Sequence, residues 1–346
     1  MTAMTRPTGH DGRRGIVSVA ALVVVLLLAV ILLEFSHRSQ VNLHVADNRY
    51  RSQQALCCAE AGVSAAIAAL AQQEDEGPDG PLADLLSGSV RIPVGEGRCT
   101  VSARQENGKI NVNGLKTSDG EIVRPRMEQL LRLIDLLNAE SGEHAPIGYG
   151  MVLAMMDWTD ADDEVTSVPF IKRQNQGAEN DYYRSLVPPY RCKNAPFDVL
   201  EELLLVKGMT RGIFLGQVAD AELGTKSLPG MSGFLTVYGD GKINVNYAPA
   251  RVLEALSEGM DGPLAESIVL HRADRPFKSV EELRSVPGMT EDLYASLRDQ
   301  VTVRPKDQYF RVTSRGAAGG IERTVNVILR KRHGRQVVHL VLREET

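Results

Sequence analysis

Between Arg14 and Glu34 the chain carries no charge, and from Ile16 to Glu76 it carries no proline. A backbone in hydrocarbon must satisfy its polar groups internally, so a run this apolar settles as a helix. Ile16 to Leu33 is about long enough to cross a bilayer, which takes roughly 17–25 residues. Beyond it, Leu43, Val45, Ala46, Tyr50, Leu56, Ala59, Val63, Ala66, Ile67 and Leu70 recur at helical spacing. The pattern predicts one long helix, apolar at its start and amphipathic at its end. Arg13 and Arg14 hold the residues before it on the cytoplasmic side. A secretory signal would place a small-residue cleavage site after the apolar run. Here Ser36-His37-Arg38 follows and the helical pattern continues.

At 346 residues the chain has room for two or three folded units. Its net charge is −5, and residues 1–15 hold three Arg and one Asp, so the remainder stands at −7. An acidic body argues against nucleic acid as a partner, because that binding rests on Lys and Arg neutralising phosphates. The four cysteines are Cys57, Cys58, Cys99 and Cys192. Cys57 and Cys58 are adjacent and poorly placed to pair with each other. Cys99 with Cys192 is the candidate bridge in an oxidising compartment, with free thiols as the alternative.

Along the chain, Glu74 to Gly80 reads as a loop. Val90–Val94 and Cys99–Arg104 alternate like strands, and Glu106-Asn107-Gly108 reads as a hairpin turn into Lys109–Asn113. Met127–Leu137 and Gly150–Trp158 read as helices. Two echoes follow. Gly108-Lys109-Ile110-Asn111-Val112-Asn113 returns as Gly241-Lys242-Ile243-Asn244-Val245-Asn246. Pro196-Phe197, Glu201-Glu202-Leu203 and Gly208-Met209-Thr210 return as Pro276-Phe277, Glu281-Glu282-Leu283 and Gly288-Met289-Thr290. Two helical units of one plan are expected, each introduced by a strand and each closed by a glycine turn. Tyr309–Thr313, Arg323–Arg330 and Gln336–Arg343 read as strands, with turns at Gly316–Gly320 and His333-Gly334. The sum is an α+β chain: a long helix on a small antiparallel sheet, with a large helical insertion.

The most specific run is Asp157-Trp158-Thr159-Asp160-Ala161-Asp162-Asp163-Glu164, followed by Gly177-Ala178-Glu179-Asn180-Asp181 and Asn194. Five acids within eight residues repel one another unless something neutralises them. Oxygen ligands at short spacing are what Ca²⁺ takes, six to eight at a time. The pattern is not an EF-hand. A solvated acidic loop is the plain alternative. Trp158 reads as a core anchor.

The Gly15 junction before an apolar helix resembles the leader of type IV pilins and type II secretion pseudopilins, with an uncleaved signal anchor as the plain alternative. Asp-Trp-x-Asp-x-Asp, Gly177-Ala178-Glu179, Pro188-Pro189-Tyr190, Asn194-x-Pro196 and Glu201-Glu202-Leu203-x-x-Val206-x-Gly208-Met209 resemble, in order, the K-type minor pseudopilins of type II secretion. The resemblance runs from Arg13 to the C-terminal strands. It implies a pseudopilin fold and cleavage by prepilin peptidase between Gly15 and Ile16. It implies a calcium site drawn from Asp160, Asp162, Asp163, Glu179 and Asp181, with Asp157 and Asn194 as further contributors. It also implies a single-pass inner-membrane protein with a periplasmic body, assembling with I- and J-type minor pseudopilins and the major pseudopilin at the fibre tip. Most members of the wider family carry Glu at the fifth mature residue, which pairs with a neighbour's terminal amine. Here that residue is Ala20, which suits a fibre end better than its middle. The expected divisions are a leader at 1–15, a membrane helix at 16–35, and helix plus first strands at 36–113. The insertion with its acidic loop follows at 114–233, a strand and second helical unit at 234–300, and the last strands at 301–346.

Asn244-Val245-Asn246 through Pro249, Gly259–Pro263, Pro276–Leu283 and Pro287-Gly288-Met289 also look like tandem helix-hairpin-helix or SAM-like units. Competence DNA receptors have a similar string, which makes a membrane-anchored DNA-binding minor pilin the alternative function. Glu254, Glu258, Asp261 and Glu266 surround the first hairpin and would repel phosphate. The seven histidines are scattered, and the sequence has no His-Glu-x-x-His, Gly-x-Ser-x-Gly or phosphate loop. No catalytic residue is expected.

Overall fold

The computed structural model describes residues 11–72, 80–117, 119–141, 147–169, 176–217, 227–332 and 338–345. Helix α1 runs Asp11–Gln72 without a break, about 93 Å at 1.5 Å per residue. Among the described residues it is the one helix long and apolar enough to cross a membrane. From Val17 to Tyr50 it stands clear of the body, with Leu43 68% and Tyr50 64% exposed. The amphipathic face expected from Leu43 therefore meets the protein only from Arg51 onward, and its first buried residue is Ala55. The junction residues Gly15 and Ile16 lie inside α1, and residues 1–10 lie outside the described part.

Helix α2 (Pro81–Ser87) leads into β1 (Ser89–Val94) and β2 (Gly97–Gln105). The chain returns much later as β9 (Asp307–Ala318), β10 (Ile321–Arg332) and β11 (Val338–Glu345), after an insertion that holds strands β3 to β8. These five form an antiparallel sheet in the order β1-β2-β9-β10-β11. Residues 106–306 are thus one insertion between neighbouring strands β2 and β9. Strand β9 runs through Gly316, so the turn is narrower than the sequence implied: Gly319 and Gly320, both at positive φ, make it. The loops expected at 74–79 and at His333-Gly334 lie outside the described residues.

Cys58, Ala59, Ala66, Ala69 and Leu70 of α1 pack on Val101, Val312, Val327 and Leu329 of the sheet. Small residues let the helix axis come close. At Gly316 the approach is so tight that a Cβ would collide with the Ala55 carbonyl and the Ala59 amide. Arg51 donates to the Gly319 carbonyl at 3.1 Å, and Gly62 faces Ser314. Helix α1 therefore runs antiparallel to β9. Its C-terminal end lies toward Phe310 and Asp307, where the insertion joins. The insertion sits at the pole of the sheet away from the exposed apolar half of α1.

Glu106-Asn107-Gly108 is a 3-10 turn, not the hairpin expected. The reason is in its side chains. Asn107 accepts from Tyr309 N–H at 2.7 Å and donates to the Asp307 carbonyl at 3.0 Å. Glu106, fully buried, accepts from Lys109 at 2.7 Å and Arg311 at 3.3 Å. These bonds clamp the turn to the start of β9 and send the chain off the sheet.

Inside the insertion, β3 (Ile110–Asn111) is followed by α3 (Arg124–Ser141), α4 (Gly150–Thr159), α5 (Asn180–Arg184), α6 (Arg211–Leu215), the short pair β4 (Gly216–Gln217) and β5 (Leu228–Pro229), and β6 (Leu235–Thr236). Then come β7 (Ile243–Asn244), α7 (Ala250–Glu254), α8 (Gly262–Asp274), α9 (Glu291–Leu297) and β8 (Val301–Thr302). β3 pairs in parallel with β6, and β7 in parallel with β8. Each unit is thus a short strand, helices, and a closing parallel strand. Asn111 and Asn244 cap their turns alike, accepting from the N–H two residues on at 2.8 and 3.1 Å. A 3-10 segment and a positive-φ glycine, Gly208 or Gly288, recur in both.

The sheet and the insertion have separate hydrophobic clusters. Cys99 belongs to the first and Cys192 to the second. The Cys99–Cys192 bridge is therefore not made, and all four cysteines are free.

Candidate metal centre

In the second unit, α8 ends at Asp274 and Arg275 alone separates it from Pro276-Phe277. In the first, α4 ends at Thr159 and residues 160–195 intervene before Pro196-Phe197. The acidic run is an elaboration of one copy of a repeated plan. Trp158 anchors its root, as expected. Its ring meets Tyr183 edge-on at 5.1 Å and stacks on Phe197 at 6.4 Å. Apolar packing on one side thus walls the carboxylates off from water.

Asp157 and Asp160 lie three residues apart at the end of α4, which puts both on one face of the last turn. Glu179 comes back to meet them just before α5. Oxygens of these three carboxylates lie within 4.8 Å of one another. Asp157 is 0% and Glu179 3% exposed. Asp157 Oδ1 accepts from Thr166 N–H at 3.0 Å, and Asp160 pairs with Lys116. Asp157 Oδ2, Asp160 Oδ1 and both Glu179 oxygens are buried without a donor. Asn194 Oδ1 is another orphan. Its Nδ2 donates to the Asp162 carbonyl at 2.7 Å, and its backbone is left-handed, a conformation Asn tolerates better than most residues.

Buried acceptors in native proteins are nearly always paired. So many unpaired oxygens converging is a strained arrangement, and the titration behaviour reflects it. Burial, opposed in part by the Thr166 bonds, pushes the Asp157 carboxyl up to about 6. Burial, then the charges of Asp157 and Asp160, pushes Glu179 up to about 8. Burial also raises Asp160 against the pull of Lys116. A cation among these oxygens would remove the penalty.

The donor set fits a hard cation. Calcium bonds at roughly 2.3–2.6 Å, so its oxygens lie within about 5 Å of one another. The neighbouring sulfur does not fit a thiolate-bound metal. Burial, reinforced by Glu179, pushes the Cys192 thiol up to about 12, and it donates to the Asp157 carbonyl at 3.5 Å.

The other expected ligands are not in the cluster. Asp162, Asp163 and Asp181 are exposed. Asp162 accepts from Glu164 N–H at 2.8 Å, folding its own turn. Asp163 accepts from Asn180 Nδ2 at 2.5 Å, and Asn180 in turn accepts from Cys192 N–H at 3.1 Å. These side chains shape the loop. Asp157, a secondary choice from sequence, is the deepest of the carboxylates. The helical spacing to Asp160 was the available signal. Gly177, in the sequence only a motif residue, has a structural role at the cluster: a Cβ there would collide with the Asp157 carboxylate. Lys207 secures that glycine by donating to the Gln176 and Gly177 carbonyls at 3.1 and 3.2 Å.

Two family models described as type II secretion system protein K match residues 108–215 and 243–304. The chain is 26% identical over 316 residues to type II secretion system protein K of Pseudomonas aeruginosa, covering 89% of this chain and 86% of that one. Its fold is similar to a chain in the crystal structure of the GspK-GspI-GspJ complex from the enterotoxigenic Escherichia coli type 2 secretion system. That likeness has a TM-score of 0.63 at 20% identity, over 87% of this chain and 99% of that one. A long, initially apolar helix laid on an antiparallel sheet defines a pseudopilin-type subunit. Both matched segments fall in the insertion between β2 and β9. The comparisons support a K-type minor pseudopilin of type II secretion.

Proposed function

We propose that this minor pseudopilin acts without catalysis at the tip of the pseudopilus, as the subunit on which the fibre starts. The observation that carries this reading is the placement of residues 106–306 at the pole away from the apolar half of α1. Helices of successive subunits pack side by side in such a fibre, and a body that large at the outer pole obstructs a further subunit above it. Ala20 supports the same position, since it offers no carboxylate to a neighbour's terminal amine. Prepilin peptidase cuts after Gly15, the helix from Ile16 holds the protein in the inner membrane, and the body lies in the periplasm. The exposed stretch Val17–Tyr50 is the surface that I- and J-type partners and the major pseudopilin cover.

The insertion is a pair of helix-hairpin-helix-like units used for protein contacts. Asp157, Asp160, Glu179 and Asn194 hold one Ca²⁺, which supplies the charge that lets the buried carboxylates stay ionised. The ion's role is structural: it fixes Asp160, Glu179 and Asn194 against the end of α4. The DNA-binding alternative is not favoured. In the second unit Arg251, a basic group near the first hairpin, is already paired with Glu140 and Glu254.

The test of position is co-expression of the full chain with I- and J-type subunits and gold labelling of assembled fibres. Label at one end per fibre, and co-purification of the three, supports the reading. Label at regular intervals along the fibre overturns it.

A further inference from the structure

Among the described residues, Lys116 makes the one ion pair to the three clustered carboxylates. It reaches Asp160 from 44 positions away in sequence, and it is no loose surface lysine. Its side chain is 11% exposed and that of Asp160 6%. Its backbone is pinned on both sides: Lys116 bridges Ile122, Thr117 N–H donates to Glu121 at 2.8 Å, and Val123 N–H donates to Leu115 at 2.8 Å. The fold thus delivers a fixed ammonium to the rim of a cation site.

We propose that Lys116 sets the affinity and charge selectivity of this site. The proposal rests on the calcium reading above. With Asp157, Asp160 and Glu179 ionised the cluster carries −3, and the ammonium brings it to −2, the charge one divalent cation cancels. Lys116 also gives Asp160 a partner when no ion is bound. It therefore stabilises the empty site and weakens the loaded one. Removing it should do the opposite on both counts.

The experiment uses the full chain in detergent, with Lys116→Met and Lys116→Gln, probed by calcium and by terbium. Both variants should bind calcium about tenfold more tightly. Coulomb energy scales with ion charge, so the same change should tighten the trivalent ion about thirtyfold. Metal-free, both variants should melt below the parent, and calcium should raise their Tm more than it raises the parent's. Lys116→Gln keeps a donor for Asp160 and guards against a variant that does not fold. A parent that binds calcium beside variants that bind it equally or more weakly overturns this proposal alone and leaves Lys116 a structural residue. Equal tightening for both ions overturns the charge-selectivity part. A parent that binds no calcium overturns the calcium reading, and this proposal falls with it.

Discussion

Asn113 and Asn246 make the same pair of bonds in successive units. Asn113 donates to the Phe197 carbonyl at 2.9 Å and accepts its N–H at 2.7 Å. Asn246 donates to the Phe277 carbonyl and accepts its N–H, both at 2.9 Å. One amide thus completes both backbone groups of a buried phenylalanine and ties the turn after each unit's first strand to the segment ahead of its 3-10 helix. Truncation leaves a buried donor and acceptor unpaired, which costs about 1–3 kcal/mol per group. Asn113→Ala and Asn246→Ala should each lower the stability of the full chain by about 2–4 kcal/mol, read from chemical denaturation. Asn113 carries the larger expected loss, because it also donates to the Val237 carbonyl at 3.1 Å.

Gly177 decides whether the Asp157 carboxylate can take its place in the candidate metal centre. Any side chain there displaces the Asp157 carboxylate. Gly177→Ala should weaken calcium binding at least tenfold, whereas Gly148→Ala, with open space around it, should leave affinity unchanged. Calorimetric titration of both variants checks this.

Helix α1 and strand β9 meet where Gly316 lets them. Gly316→Val must push Ala55 and Ala59 outward, and overpacking of this kind costs about 1–3 kcal/mol or more. The expected result is a lower Tm with calcium affinity intact, since Gly316 belongs to the sheet's own core. Equal stability to the parent would show that the helix sits higher on the sheet.

The pH dependence follows from carboxyls whose folded values lie above the ordinary ones. Between roughly pH 4 and the folded values of about 6 for Asp157 and about 8 for Glu179, the folded state holds protons that the unfolded state has lost. Stability of the calcium-free chain should therefore fall as pH rises through that window and level off above it. Saturating calcium should flatten the curve. Thermal melts from pH 5 to 8.5, with chelator and with calcium, give the comparison.

Much of the fold was legible because it rests on local signals. The charge-free run after Arg14 gave the helix, and alternation gave the strands. The Asn-Val-Asn and Pro-Phe echoes mark two units of one plan. The turn at Glu106 was misread because its geometry depends on Tyr309 and Arg311, some 200 residues away. The extent of packing along α1 was misread for the opposite reason. Helical periodicity records a face that something covers, and between Leu43 and Tyr50 this chain does not cover it. At the candidate metal centre, the sequence favours Asp160, Asp162, Asp163, Glu179 and Asp181. Of these the structure brings together Asp160 and Glu179, and burial with the helical face of α4 adds Asp157. Lys116 carried no sequence signal, since its partner is fixed by tertiary structure.

The most direct measurement is equilibrium calcium binding to the full chain, compared with Asp157→Asn and Glu179→Gln. Both substitutions keep shape and remove charge, from a group with one oxygen lacking a donor at Asp157 and from one with both lacking it at Glu179. The parent should bind one ion at the three-carboxylate cluster and gain Tm on binding. Each variant should lose at least tenfold in affinity, and the calcium-free Glu179→Gln chain should be no less stable than the parent near pH 8, because the substitution removes a buried charge. Binding that survives in both variants, or a parent indifferent to calcium, would contradict a metal centre built on Asp157, Asp160 and Glu179.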